Sequence, residues 1–232
     1  MTLTLCGAGA LYLIVRHFEE TLAAPHAEAL RPAVLARTGA MILRNRRFRA
    51  FTLLSTASFG GLFCFLASSS FVFIGLFGFS APAYGLVLLS LSACYIVGTM
   101  LCRRLLLRLG LAGAVRVAGA LSLTAGCLLA GLALAAVHSP WAIMVPAWLY
   151  MLGHGIHQPC GQSNAVAPFP AAAGAAAALA GCVMMTVAFA SGAWVGACMD
   201  GTAWPLIAGM AFWSLVAAVS AWVFVPRAGR LP

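Results

Sequence analysis

Charged residues are scarce in this chain, and acidic residues are the scarcest of all. Only 7% of the 232 residues are charged, four of these are Asp or Glu, and Asp200 is the sole aspartate. Hydrophobic residues make up 63%, whereas a soluble domain is about 45–50% apolar and about 25% charged. The composition excludes an ordinary soluble domain, whose interior lacks room for this apolar surface, and a disordered chain, which needs low hydrophobicity.

Lysine is absent, so all thirteen basic residues are arginines and the formal net charge is +9. Nucleic-acid binding needs a basic face on a soluble module, but these arginines lie between long apolar runs. Arginine between apolar segments is typical of membrane proteins, where it marks the cytoplasmic loops. We therefore expect a membrane-lipid environment and no nucleic-acid partner.

Paired cysteines are also absent, because none of the eight cysteines lies in a CxxC motif. Most of them lie in apolar runs, where cysteine behaves as a small hydrophobic residue. His154, His157 and Cys160 have a spacing that suggests a metal, but no carboxylate or second cysteine pair completes such a site. We expect no disulfide framework, no metal site and no other cofactor.

Three long stretches contain no charged residue: 50–102, 117–199 and 201–226. A helix needs about 20 apolar residues to cross a bilayer, and the stretches lack the alternation of barrel strands. They divide at short polar or proline-containing breaks into six predicted spans: 50–77, 83–105, 114–137, 141–165, 173–198 and 203–225. The predicted fold is an all-α membrane protein with a six-helix transmembrane bundle over residues 50–226.

The N-terminal segments differ from the bundle. Residues 1–15 are apolar but shorter than a span, no basic region precedes them, and Glu19 and Glu20 follow, unlike a signal peptide. We interpret them as the end of a truncated transmembrane helix. Residues 16–49 are polar and interrupted by proline, which predicts a cytoplasmic linker or a short amphipathic surface helix. Residues 227–232 form the predicted cytoplasmic tail.

The arginines cluster in three places: 16–49, 103–116 and 227–230. Two predicted spans separate the first cluster from the second, and four separate the second from the third. Both counts are even, so all three clusters lie on one side of the membrane, which arginine identifies as the cytoplasm.

The densest polar cluster lies in the fourth predicted span, over residues 153–164. It contains His154, His157, Gln158 and Asn164. Polar residues inside a membrane are costly and usually face a cavity or another helix, so one interpretation is a ligand-contacting stretch with titratable histidines. The alternative is hydrogen bonding between helices at a helix end, with close packing at the glycines.

Hydroxyl side chains occur along the first two predicted spans, with Ser69 and Tyr95 among them. A serine in a helix often bonds the carbonyl one turn earlier, so most of these need no functional explanation. Phenylalanines in the first span face lipid or form an aromatic wall for an apolar ligand.

Several segments resemble the C-terminal half of the Bcr/CflA branch of the major facilitator superfamily, a group of multidrug efflux transporters. Residues 67–101, 103–110 and 153–181 carry the resemblance. They read ASSSFVFIGLFGFSAPAYGLVLLSLSACYIVGTML, RRLLLRLG and GHGIHQPCGQSNAVAPFPAAAGAAAALAG. The resemblance covers nearly the whole chain.

In that family two six-helix halves enclose a central cavity, and helices seven, eight, ten and eleven face it. The resemblance therefore implies a set of substrate or relay contacts: His154, His157, Gln158, Asn164, Ser69 and Tyr95. It also implies a cytoplasmic loop motif: Arg103, Arg104, Arg108 and Gly110. The half that usually carries the proton-coupling acid has no counterpart here.

The expected function is multidrug efflux by proton antiport with alternating access, in the bacterial inner membrane. The expected partners are a small drug-like substrate, protons, and a missing N-terminal half or a second copy of the chain. One alternative is a membrane fragment with an assembly role and no transport. Another is an intramembrane enzyme that uses His154 with a serine, but no GxSxG context supports it, and we expect no enzyme activity.

Overall fold

A computed structural model describes residues 2–17 and 32–228, and this part of the chain contains helices and no strand. The all-α prediction is thereby confirmed for these residues. Residues 18–31 of the predicted linker and most of the predicted tail lie outside the described residues. The helices are α1 (Thr2–His17), α2 (Pro32–Arg44), α3 (Arg46–Ser70), α4 (Ala81–Leu134), α5 (Trp141–Val166), α6 (Ala173–Ala197), α7 (Trp204–Val219) and α8 (Val225–Ala228). Short π-helical turns extend α3 over Phe71–Leu76 and join α7 to α8 over Ser220–Phe224, and a 3-10 turn over Pro170–Ala172 precedes α6.

The chain divides into two compact units, Met1–Arg37 and Thr38–Pro232. Helix α1 of the first unit has 16 residues, a length of about 24 Å that falls short of the roughly 30 Å hydrocarbon core. The second unit begins at Thr38, whereas the linker predicted from the sequence continues to residue 49. Residues 38–49 belong to it because amphipathic α2 buries Ile42 completely and the start of α3 buries Phe48.

Local signals in the sequence explain where α3 and α4 begin. The side chain of Asn45 accepts a hydrogen bond from the Phe48 amide at 3.0 Å, which caps the first turn of α3. Ser80 caps α4 in the same way through the Ala83 amide, with Pro82 in the first turn. Such caps satisfy amides that the helix itself leaves unpaired.

Helix α4 has 54 residues but bends sharply at Gly110. A straight helix of that length would extend about 81 Å, far beyond a bilayer core of about 30 Å. Gly110 has φ 67° and ψ −179°, a backbone region that is essentially restricted to glycine. The sequence predicts a break between two helices over residues 103–110. In the structure only Gly110 departs from helical geometry, because the arginines before it are compatible with a helix.

The helices of the second unit run alternately between two ends of the bundle. At one end, Arg46 of α3 and Arg227 of α8 line a common groove, and we call this the arginine end. At the other end, the turns after α3, α4 and α6 line a cavity of about 550 Å³ through residues such as Phe77, His138 and Thr202. We call this the turn end.

Two further contacts place other segments at the arginine end. Arg47 donates a hydrogen bond to the Asn164 side chain at 2.8 Å, which brings the last turns of α5 there. The Trp222 indole donates to the Arg116 carbonyl at 3.2 Å, which fixes the part of α4 after the bend. The bundle therefore gathers distant arginines at one end.

Four helices are long and apolar enough to cross a membrane: Arg46–Leu76, Ala81–Leu134, Pro170–Ala197 and Trp204–Ala228. Large apolar side chains such as Leu86, Met100 and Phe189 are exposed on their surfaces. Apolar surface on this scale marks contact with a membrane or a partner, and the four helices indicate a membrane-embedded protein. Helix α5 is not among the four because its histidines and glutamines lower its hydropathy.

Replacing Gly110 with alanine tests the bend in α4. We expect a loss of about 1–3 kcal/mol in the free energy of unfolding, because alanine is strained in this backbone conformation. Thermal unfolding of the purified protein in detergent measures the change. The control is Gly131→Ala, also in α4, where a β-carbon meets no atom within 4 Å; equal destabilisation by the two changes would contradict the assignment.

Candidate ligand-binding site

Three glycines bring α5 into close contact with its neighbours around the polar cluster. A β-carbon at Gly155 would lie 2.6 Å from the Tyr95 carbonyl oxygen of α4, and one at Gly161 would lie 2.8 Å from the Ser55 β-carbon of α3. At Gly153 the nearest atom would be the Ser122 hydroxyl, again at 2.8 Å. These distances are too short for any side chain, so the glycines are required for the helices to approach this closely.

A cavity of about 730 Å³ lies beside this contact, between α3, α4, α5 and α6. Three of the predicted substrate contacts line it, namely Tyr95, His154 and Gln158. The other lining residues are Phe59, Thr99, Cys102, Arg103, Leu106, Leu107, Pro159, Gln162 and Met184. Its volume is within the range of about 300–1,000 Å³ that is usual for small-molecule sites.

His154 is held in a defined orientation at the cavity wall. Its Nδ1 atom lies 2.8 Å from the Ser58 hydroxyl, and the side chain is 4% exposed. The imidazole lies between two tyrosine rings, with centroid distances of 5.5 Å to Tyr95 and 6.5 Å to Tyr150. Because Nδ1 is engaged with Ser58, Nε2 is the nitrogen left for a ligand or a proton.

Gln158 is also fixed by hydrogen bonds, one to α3 and one within α5. Its amide nitrogen donates to the Ser55 carbonyl at 3.3 Å, and its amide oxygen accepts from Gln162 at 3.0 Å. Gln158 is buried, whereas Gln162 is exposed at the outer part of the cavity. The two glutamines therefore form a short polar edge that runs from the interior to the surface.

The other three predicted contacts do not line this cavity. His157 is fully buried, and neither ring nitrogen has a hydrogen-bond partner among the described residues. Asn164 pairs with Arg47 at the arginine end, and the Ser69 hydroxyl pairs with Tyr84 at 2.8 Å. The structure thus separates the predicted set, because helix rotation places neighbouring residues on different faces.

The predicted loop motif is divided as well. Arg103 lines the cavity, Arg104 and Arg108 are exposed, and Gly110 forms the bend in α4. Arg103 is the only charged residue among those that line the cavity. It adds a donor and a positive charge at the outer part of a site that is otherwise lined by neutral groups.

Some lining residues were not among the predicted contacts. Gln162 belongs to the polar cluster of α5, and its polarity within an apolar chain was the available signal. Phe59 and Met184 carry no such signal, because apolar residues on α3 and α6 are equally suited to lipid contact. Their place at the cavity depends on how the helices are rotated, which periodicity alone does not fix in a uniformly apolar helix.

The side chains that line the cavity are mostly apolar or neutral and polar. Across residues 2–17 and 32–228, no three His, Cys, Asp or Glu side chains come together as metal ligands. The lining instead combines aromatic and apolar side chains with a few oriented polar groups. That combination is typical of sites for drug-sized organic molecules.

Comparisons of the chain with family models, with curated proteins and with solved structures find no match.

Replacing Gly155 with alanine tests the close contact that forms the site. The added methyl group meets backbone atoms of α4 on a buried face, so we expect a loss of about 1–3 kcal/mol in stability, as for other overpacked sites. Thermal unfolding in detergent is the measurement. In the control Gly181→Ala on α6 the new β-carbon meets no atom within 4 Å, and an equally large effect there would refute the packing argument.

Proposed function

We propose that the chain is one six-helix half of a drug/proton antiporter of the major facilitator type. The observation that carries this proposal is the cavity of about 730 Å³ on the side of the bundle, lined by Tyr95, His154 and Gln158. The resemblance of the sequence to Bcr/CflA transporters predicts ligand contacts at these three positions. The parent mechanism is alternating access, in which two helix bundles rock about a central site.

The proposal requires six crossings. The bend at Gly110 divides α4 into two segments, each long enough to cross the bilayer. Helix α5 has 26 residues, a length of about 39 Å at 1.5 Å per residue, although its hydropathy is low. Its polar side chains His154, His157 and Gln158 are buried against protein, where polar groups inside a membrane are tolerated.

The arrangement of the arginines supports a single orientation. Arginines from α3, α4 and α8 lie at the arginine end, and the opposite end carries the uncharged turns and Asp200. The positive-inside rule then places the arginine end in the cytoplasm. A bacterial inner membrane is the location in which this kind of transporter operates.

A second bundle is part of the proposal because the cavity is open on one side. Leu106, Leu107, Pro159 and Gln162 line the cavity and are exposed in this single chain. Half of a transporter exposes the surface that its other half would cover. We propose that the missing cover is an N-terminal half or a second copy of the chain.

Proton coupling requires a titrating group within the membrane. Asp200 is the one acidic residue in the described part of the chain, and it lies in a turn. The imidazole of His154 is therefore the group that we propose for proton exchange, because it is both at the cavity and hydrogen-bonded to a hydroxyl.

The Ser58–His154 pair also has the distance of a nucleophile and its base, and thus bears on the enzyme alternative. Ser58 is completely buried and is not among the cavity-lining residues. A substrate in the cavity has no access to its hydroxyl. This arrangement supports a role of Ser58 in orienting the histidine and argues against nucleophilic catalysis.

Membrane topology gives a first test. Single cysteines at Arg108 and at Arg227, in a background without native cysteines, are expected to react with a membrane-impermeant maleimide only from the cytoplasmic side. A cysteine at His138 is expected to react only from outside. Labelling of the two arginine positions from opposite sides would contradict six crossings.

Ligand binding tests the cavity directly. We expect His154→Ala combined with Gln158→Ala to weaken binding of ethidium or chloramphenicol by at least about tenfold, the loss of roughly one hydrogen bond or more. Equilibrium binding to the purified protein in detergent is the measurement. The control is Ser69→Ala combined with Asn164→Ala, two predicted contacts that lie away from the cavity; equal loss in both variants, or no binding of either probe to the unaltered protein, would refute the site.

Transport in proteoliposomes tests the need for a second bundle. With an imposed proton gradient, the chain reconstituted as a monomer is expected to give no accumulation of either probe. Reconstitution of the chain at a density that permits dimers, verified by crosslinking, is expected to restore accumulation of the probes if a second copy of the chain is the partner. Robust gradient-driven accumulation by the monomer would refute the dependence.

A further inference from the structure

We infer that a groove at the arginine end binds an anionic phospholipid, with its phosphate on the arginines and an acyl chain along the apolar surface beside them. The groove has a volume of about 360 Å³ and lies between the start of α3 and the C-terminal segment of the bundle. Its lining residues are Arg46, Arg49, Ala50, Leu53, Phe224, Arg227 and Ala228. The inference rests on the proposed orientation, with the arginine end at the cytoplasmic side of the membrane, but it does not rest on the proposed transport function.

Three arginine residues line this groove. Arg46 and Arg49 are three residues apart and therefore lie on one face of α3, and Arg227 reaches the same groove from the other end of the sequence. Like charges that converge repel each other unless an anion lies among them. Arginine is also the side chain best suited to phosphate, through its planar fork of donors.

The chain offers no carboxylate to this groove in its described part. Asp200 is the one acidic residue there, and it lies at the turn end. Its carboxylate accepts hydrogen bonds from the Thr202 amide at 3.0 Å and hydroxyl at 2.6 Å, which hold the pKa of Asp200 below its usual value. No carboxylate of residues 2–17 or 32–228 therefore neutralises these three arginines.

The shape of the groove distinguishes a lipid from a free anion. Leu53 follows Arg49 by about one helical turn, and Phe224 precedes Arg227 by about one turn. Both apolar side chains therefore lie farther from the arginine end than the arginines do, and Leu53 is half-buried while Phe224 is 42% exposed. Arginines beside an apolar surface that is accessible to lipid match a phosphate headgroup with its attached acyl chain.

The depth of the groove also fits the headgroup layer. Trp222 precedes Phe224 on the same segment, is 42% exposed, and donates its indole hydrogen to the Arg116 carbonyl. Tryptophan is enriched at the boundary between hydrocarbon and water. Basic pockets on the cytoplasmic side are the sites at which anionic headgroups are expected.

Native mass spectrometry of the purified chain in a neutral detergent tests the inference with three probes. These are phosphatidylglycerol, phosphatidylcholine with the same acyl chains, and inorganic phosphate. We expect phosphatidylglycerol to bind at least about tenfold more tightly than phosphatidylcholine, because each arginine near an anionic headgroup contributes. We also expect millimolar inorganic phosphate to leave the bound lipid in place.

Two charge-matched triple variants separate the groove from general surface charge. The first variant removes the groove arginines (Arg46→Gln, Arg49→Gln and Arg227→Gln), and we expect it to bind the two lipids almost equally. The second variant removes three exposed arginines outside the groove (Arg104→Gln, Arg108→Gln and Arg116→Gln), and we expect it to retain the preference for phosphatidylglycerol.

Three outcomes would overturn the inference. One is equal binding of the two lipids by the unaltered protein. Another is equal loss in both triple variants, which would show diffuse attraction to a basic surface. The third is displacement of the lipid by phosphate, which would identify a small-anion site instead.

Discussion

The close approach of α5 to α3 and α4 is the contact on which the candidate site depends. Gly153, Gly155 and Gly161 face different neighbours, and each leaves no space for a β-carbon. The glycines thereby bring the backbone carbonyl of Ser55 and the hydroxyl of Ser58 within hydrogen-bond distance of α5. Close packing at the glycines and a cavity lined by polar residues of α5 therefore occur in the same part of the bundle.

Burial of polar groups is costly in a bundle of this composition. The buried polar side chains of α5 differ in whether a hydrogen bond offsets that cost. His154 and Gln158 each have a partner on another helix, so their desolvation is largely compensated. His157 has no partner among the described residues, and an unsatisfied buried polar group costs about 1–3 kcal/mol. The two histidines therefore differ. His154 is hydrogen-bonded at the cavity wall, whereas His157 is buried in the core, where its unpaired ring nitrogens reduce the stability of the bundle.

Much of the fold can be predicted from the positions of charge, glycine and proline alone. The helix ends near residues 76, 134, 166 and 197 lie close to the predicted breaks, because the chain offers few other places where polar backbone can be exposed. The sequence places the start of the bundle at residue 50, and the arginines before α3 give no sign of the buried face that contains Ile42 and Phe48. Hydropathy alone also omits α5, because its polar side chains lower the mean hydropathy although several of them are hydrogen-bonded within α5 or to α3.

The site was less predictable than the fold, for a geometric reason. Composition identifies the polar segment of α5, but contacts across long sequence separations determine which of the predicted residues line the cavity. Asn164 is engaged by Arg47, and Ser69 by Tyr84, so neither reaches the cavity. In helices that are apolar on every side, no periodic signal reports which face meets the cavity, and Phe59 and Met184 could not be selected from their neighbours.

The cavity extends from the middle of the bundle toward the arginine end. Along α4 its wall proceeds from Tyr95 through Arg103 to Leu107, a distance of about 18 Å at 1.5 Å per residue. Toward the turn end, buried Phe73 and Leu206 fill the core. In the orientation that we propose, this cavity therefore extends toward the cytoplasmic side of the membrane, and a separate cavity of about 550 Å³ lies at the turn end.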